Sequence, residues 1–370
     1  MNVMGIINLH QDNKNIMELT YNRPVAAIPF MGRYRIIDFP LSNLVNSGIT
    51  NVGVFVQDNP RSLMDHVSSG KEWNLDRKAD RIYMFYPEYT VGSEINRQEL
   101  KNFRDNIDYI YYSKQDQVII VPGNMICNID YRDVIKFHKK HKSDITIIYK
   151  KTKNATSDFI GCDILDLDEE ENLTYIGKNT GEKDELNISM EMYVMEKQRL
   201  LDLINASTSF SSFYTLRDII NHICSRIKVK TFEYTGYLTC INSVKTYYKK
   251  SLELLNLEIA NQLFTDNNPI FTKTKDGPPT KYGEDAEVKN SFVASGSIID
   301  GKVENSIIFR RTIVERNAEI KDSIVMQNSI VQLGARLECV CMDKNVTISK
   351  FKEIIGKKDY PVVIEKNRVV

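Results

Sequence analysis

One small unit returns through the last quarter of the chain, and it constrains the fold more than any other feature. It reads Ser291-Phe292-Val293, Ser297-Ile298-Ile299, Ser306-Ile307-Ile308, Thr312-Ile313-Val314, Ser323-Ile324-Val325 and Ser329-Ile330-Val331. Successive units are separated by 6, 9, 6, 11 and 6 residues, so every second unit recurs after 15 or 17. That approaches the ~18-residue coil of a hexapeptide β-helix, in which no coil buries its inner face alone and stacked coils share one apolar core. A plain antiparallel sandwich would not explain the six-residue return. The grammar changes near Asp276-Gly277-Pro278-Pro279, which reads as a linker.

A β-helix invites hexapeptide acyltransferase chemistry, which typically uses a histidine as general base among the coils. The five histidines are His10, His66, His138, His141 and His222, so none lies in the repeat region. His138 and His141, at i and i+3 on a Lys-rich helix, lack a visible third metal ligand and are expected on a solvated face. The six cysteines form no Cys-x-x-Cys pair and are expected to be reduced.

The rest of the chain reads as an α/β domain. Short apolar runs at 3–7, 52–56, 118–121 and 145–149 look like buried parallel strands, with helical stretches such as 41–46, 98–112 and 131–141 between them. Such alternation predicts a doubly wound sheet, with its ligand crevice outside the carboxyl ends of the strands. The loops after strands 3–7 and 118–121 should line that crevice. A chain of 370 residues at 42% hydrophobic can bury about two such domains. Its 49 basic and 49 acidic side chains balance, which gives no general attraction for nucleic acid or acidic membranes. No apolar run approaches the ~20 residues of a bilayer span, and no signal peptide is recognisable, so a cytoplasmic protein is expected.

Residues Arg23-Pro24-Val25 and Gly32-Arg33-Tyr34-Arg35-Ile36-Ile37-Asp38-Phe39, with Leu41-Ser42-Asn43 and Asn46-Ser47-Gly48, carry a family resemblance. They resemble the N-terminal signature of the glucose-1-phosphate adenylyltransferases (ADP-glucose pyrophosphorylases). The segment Ser62 to Lys78 is similar to their GlgD subfamily, which implies the regulatory partner of a catalytic subunit in bacterial glycogen synthesis. The resemblance implies a nucleotidyltransferase-like (Rossmann-like) α/β domain over 1–264, a linker over 265–283 and a left-handed parallel β-helix over 284–370.

The chemistry of that family joins the phosphate of glucose 1-phosphate to the α-phosphorus of ATP, with Mg²⁺ held between two aspartates. The positions that carry it differ here. Where the family has a glycine-rich phosphate loop, this chain reads His10-Gln11-Asp12-Asn13-Lys14-Asn15, and Asn15 stands at the arginine position. Asn124, after Val121-Pro122-Gly123, takes the place of the first aspartate and Cys240 that of the second. An amide and a thiol do not replace two hard charged oxygen ligands. Val25 replaces a lysine, Glu191 replaces a glycine of a strand motif, and Lys178 matches the sugar-phosphate lysine only loosely.

The resemblance therefore implies a catalytically impaired homologue with no catalytic residues, no bound metal and no tightly held cofactor, in which Lys178 and Glu191 give residual, weak substrate contacts. It also implies a catalytic paralogue as partner, in a heterotetramer. Arg33 and Arg35, alternating on an extended segment, with Arg310, Arg311 and Arg336 from the β-helix, are candidates for a phosphorylated effector. Arg35 is also placed to bond Asp38 within the core. The alternative is an active or weakly active glucose-1-phosphate adenylyltransferase in which Asp116 or Asp130 supplies the metal ligand; Mg²⁺ belongs only to that alternative.

Overall fold

The computed structural model describes residues 2–57, 59–86, 99–207 and 215–370. The chain forms two compact units that interleave along the sequence. The first takes Met1–Gln11, Ile37–Cys240 and Thr265–Phe271; the second takes Asp12–Ile36, Ile241–Phe264 and Thr272–Val370.

The first unit is built on a nine-stranded sheet. Its strands are β1 (Val3–Leu9), β2 (Val52–Val56), β3 (Ile82–Phe85), β4 (Gln117–Pro122), β6 (Ile145–Thr152), β7 (Asp163–Leu167), β8 (Leu173–Lys178), β9 (Leu186–Glu196) and β10 (Val229–Glu233). A separate antiparallel pair joins β5 (Met125–Cys127) to β11 (Leu238–Cys240). The order runs β8-β7-β9-β4-β1-β2-β3, with β6 paired to β9 and β10. Strands β4, β1, β2 and β3 are parallel to their neighbours in that series, and β1, β2 and β4 read as continuous apolar runs because helices cover both faces.

The sheet as a whole is mixed, because β9 lies antiparallel to both β4 and β6. The short link between β7 and β8 permits only an antiparallel return, and β9 continues that meander. Met4, Ile6, Val118, Ile120, Ile145, Ile147 and Met195 form the centre of the core beneath the helices.

The helix predicted over 131–141 is observed as Tyr131–His141, capped by the Asp130 carboxylate, which accepts from the Arg132 N–H. His138 on that helix is buried and bonds Thr146 Oγ1 through Nδ1 at 2.8 Å, so its face is not solvated. The stretch expected to be helical over 98–112 divides into Glu99–Asp105 and Ile107–Tyr112, and Gln98 lies outside the described residues. The break falls at Asn106, whose amide donates to the Asn102 and Tyr86 carbonyls and draws the backbone out of helical geometry. Among the described residues no helix is long and apolar enough to cross a membrane.

The second unit contains the β-helix, with three parallel five-stranded sheets. Ile298 pairs with Ile313 and Ile313 with Ile330, which reproduces the 15- and 17-residue coils read from the sequence. The first coil strand is already Lys281–Tyr282. Inward-facing Val303, Ile320 and Leu337 stack on successive coils and are essentially fully buried.

The serine of each repeat has a defined task. Ser306 Oγ accepts from the Ser323 N–H at 3.0 Å, and Ser323 Oγ from the Val340 N–H at 3.1 Å, so each hydroxyl satisfies a buried backbone donor of the next coil. Corners turn through left-handed residues at Asn290, Asn305 and Asp322, side chains that tolerate this region.

Candidate functional site

Within the first unit, the strand-end loops bring together the positions that the sequence singled out. After β1, His10 Nδ1 lies 2.7 Å from Asn8 Oδ1, and Gln11 donates to the Asn8 carbonyl at 2.8 Å. The His10 N–H also reaches Asn8 Oδ1, at 3.3 Å. Burial pushes the His10 imidazole down to about 4, so it is neutral at physiological pH. The His10 N–H is thus turned to Asn8, and side chains occupy a backbone that a glycine-rich loop would leave open to a phosphate. Asn15 is exposed in a short turn, Lys14–Ile16, of the second unit.

Asn124 precedes β5 and Cys240 ends β11, and the pairing of those strands places the two side chains together. Asn124 Nδ2 donates to Cys240 Sγ at 3.4 Å, while Asn124 Oδ1 is buried without a hydrogen-bond partner. Cys240 also contacts the Cys162 thiol; that contact and burial push it well above the usual thiol range. It stays protonated and is a poor ligand for a hard cation. The residues at this point do not fit Mg²⁺. No set of three or more His, Cys, Asp or Glu side chains converges on a metal position among the described residues.

Asp116 lies at the other end of β4: its side chain accepts from the Asn2 amide, and its carbonyl accepts from the Lys197 N–H. Asp130 is held by Arg132 Nε and Nη2, and Arg132 pulls its carboxyl below the usual range. Both carboxylates have structural partners away from Asn124 and Cys240. Asp38 pairs with buried His66, Nε2 to Oδ1 at 2.5 Å.

Lys178 and Glu191 do meet, through residues that the sequence reading missed. Lys178 Nζ lies 2.7 Å from Asp163 Oδ1, and Arg217 Nη1 approaches the same oxygen at 3.2 Å. Arg217 Nη2 also bonds Asp218 at 2.8 Å. Glu191 occupies a β-bulge in β9 with φ 53°, a left-handed position that favours glycine. Burial, reinforced by Asp163 and opposed by Lys178 and Arg217, raises its carboxyl to about 7.

Glu99, also unforeseen, is 8% exposed and accepts hydrogen bonds from the Leu216 N–H and from Asn8. Burial nevertheless raises it to about 8. Asp163 follows Gly161-Cys162 at a strand start, and that position was the available signal; Glu99 offered none beyond its helical spacing.

The second unit holds a separate constellation, of cations. Arg33 lies in the turn of the hairpin Pro29–Phe30/Tyr34–Arg35, behind Met31 and Gly32 at positive φ, and not on the extended segment expected for it. Arg33 stacks over Tyr34, 5.2 Å from guanidinium carbon to ring centre, and acts on Arg310; Arg35 acts on Lys275 and Lys344.

Burial and this crowding push Lys344 down to about 6 and lower Lys275 and Arg310. Arg310 and Lys344 occupy the same corner position two coils apart, with Gln327 between them, as the bonds Asn328 N–H to Arg310 O and Asn345 N–H to Gln327 O show. The main internal anion is Asp343, already bonded to buried Arg23 at 2.6 Å. Arg311 belongs to the cluster; Arg336 does not, because it forks between Glu338 and Glu353 at 3.2 Å each.

The first unit therefore has the architecture of a nucleotidyltransferase domain, with an amide and a thiol meeting at Asn124 and Cys240. Comparison with known proteins is consistent with that class. The nucleotidyl transferase family matches residues 14–232, and the GlmU-like C-terminal hexapeptide family matches residues 278–359. The chain is 34% identical over 368 residues to the glycogen biosynthesis protein GlgD of Bacillus subtilis, covering 99% of this chain and 96% of that protein. It is 35% identical to GlgD of Geobacillus stearothermophilus, over 86% and 82% of the two chains. A glucose-1-phosphate adenylyltransferase of Clostridium perfringens is 29% identical, over 85% and 81%. The chain belongs to the GlgD proteins of the nucleotidyl transferase family.

Proposed function

We propose that this chain is a catalytically impaired subunit in glycogen biosynthesis, which assembles with a catalytic glucose-1-phosphate adenylyltransferase paralogue as a heterotetramer and alters its rate or effector response. One observation carries this reading: Asn124 and Cys240, which stand where the resembled enzymes hold their metal, meet at 3.4 Å and offer an amide and a thiol in place of two carboxylates. The self-bonded loop at His10 and Gln11 supports it independently. So does the similarity to proteins named for glycogen biosynthesis.

Regulation follows from linkage. A subunit without chemistry still shifts an assembly between two arrangements if partner and effector favour the same one. The effector on this reading is a phosphorylated metabolite. Lys275 and half-buried Lys344, crowded by Arg33, Arg35, Arg310 and Arg311, lack sufficient internal anions, and a phosphate ester supplies that charge with geometry suited to guanidinium forks.

The test is formation of ADP-glucose from ATP and glucose 1-phosphate with Mg²⁺, by this chain alone, by a catalytic paralogue alone and by the two mixed. The expected result is no turnover alone and a changed rate or activator response in the mixture. Robust turnover by the chain alone would overturn the proposal and favour an active adenylyltransferase.

A further inference from the structure

The cations in the crevice of the first unit are already matched from within. Lys178 and Arg217 converge on one oxygen, Asp163 Oδ1, at 2.7 and 3.2 Å, and Arg217 takes a second carboxylate from Asp218 at 2.8 Å. Asp163 is fixed in this role: its side chain is 5% exposed, whereas Lys178 is 51% exposed and Arg217 34%. The buried member of the cluster is the anion and the reachable members are the cations.

Glu191 adds a further carboxyl to the same recess, aimed by the bulge in β9. Two positive charges thus face Asp163, Asp218 and part of Glu191, which leaves no positive surplus for an incoming phosphate.

We propose that Asp163 is a built-in counter-anion that occupies the cation pair Lys178/Arg217 and makes this recess exclude phosphorylated sugars. The inference rests on the non-catalytic reading and deepens it: the impairment then includes sugar-phosphate recognition as well as the metal and the phosphate loop. Removing the charge on Asp163 takes the close counter-ion from Lys178 and leaves Arg217 balanced by Asp218, a gain of positive charge at an accessible position that Glu191 offsets only in part. The amide of Asp163→Asn keeps the volume and the hydrogen bonds.

The experiment is a titration of glucose 1-phosphate into the full chain with ¹³C-methyl-labelled methionine, followed by NMR. Met190 and Met192 flank Glu191 and report on this recess, whereas Met326 and Met342 report on the β-helix, so binding at the cationic cluster of the second unit is read separately. In the parent chain no saturable shift is expected at Met190 or Met192 up to about 10 mM ligand, and D163N is expected to bind at least about tenfold more tightly. Adding Lys178→Met to D163N should abolish that gain.

Saturable binding by the parent chain that D163N leaves unchanged would overturn the proposal. So would a D163N variant that keeps the parent methionine spectrum yet acquires no binding. These outcomes are independent of ADP-glucose formation in mixtures, so failure here and failure of the regulatory reading are distinguishable.

Discussion

Replacing Lys344 by methionine should stabilise the ligand-free protein, and by an amount that depends on pH in a defined direction. Lys344 is held down to about 6 from an ordinary value of 10.5 by burial and by Arg35 and Arg23, with Asp343 only partly compensating. A lysine whose folded value is depressed binds fewer protons in the native state than in the unfolded chain between those two values. Native stability therefore rises with pH across that window, and the cost of charged Lys344 is full only at or below pH 6.

The full shift corresponds to about 6 kcal/mol at 1.36 kcal/mol per unit. Lys344 keeps some contact with solvent, and about half of that, ~3 kcal/mol, is expected to disappear between about pH 6 and pH 9. Urea unfolding followed by far-UV circular dichroism at both pH values measures it, with the difference between K344M and the parent chain cancelling every other titrating group. K344M should be the more stable protein, with a gap that narrows by ~3 kcal/mol toward alkaline pH. A gap independent of pH, or a variant less stable than its parent at pH 6, would refute the reasoning that Lys344 is a strained cation.

Glu99→Gln should behave in the opposite sense. Burial raises Glu99 to about 8, so its cost appears as pH rises from 4.5 toward 8, and E99Q should gain a few kcal/mol over the parent across that window in the same assay. Asp343→Ala breaks a buried pair with Arg23 at 2.6 Å and should cost about 3–5 kcal/mol, read as a lowered urea midpoint. The double variant Asn124→Asp/Cys240→Asp should acquire Mn²⁺ binding detectable by electron paramagnetic resonance, because the two positions touch. It should still form no ADP-glucose, since the loop at His10 and Gln11 remains bonded to Asn8; turnover would show that the loop is no barrier.

Periodicity made the β-helix legible. Side chains of stacked coils must recur at the coil length, so the spacing of the Ser- or Thr-initiated units already carries the 15- and 17-residue register. The parallel core strands were legible too, because burial on both faces leaves an unbroken apolar run. That Asn124 and Cys240 offer no hard charged oxygen to a cation was a matter of residue chemistry alone. What sequence could not supply was adjacency across long separations. Asp163 meets Lys178 and Arg217, and Arg23, Lys275, Arg310 and Lys344 gather from distant segments, only because strand pairing and coil stacking carry them there. Burial then sets their charge, and burial is a property of the packed chain: the same lysine that is an ordinary cation in solution titrates near 6 at the Lys344 corner.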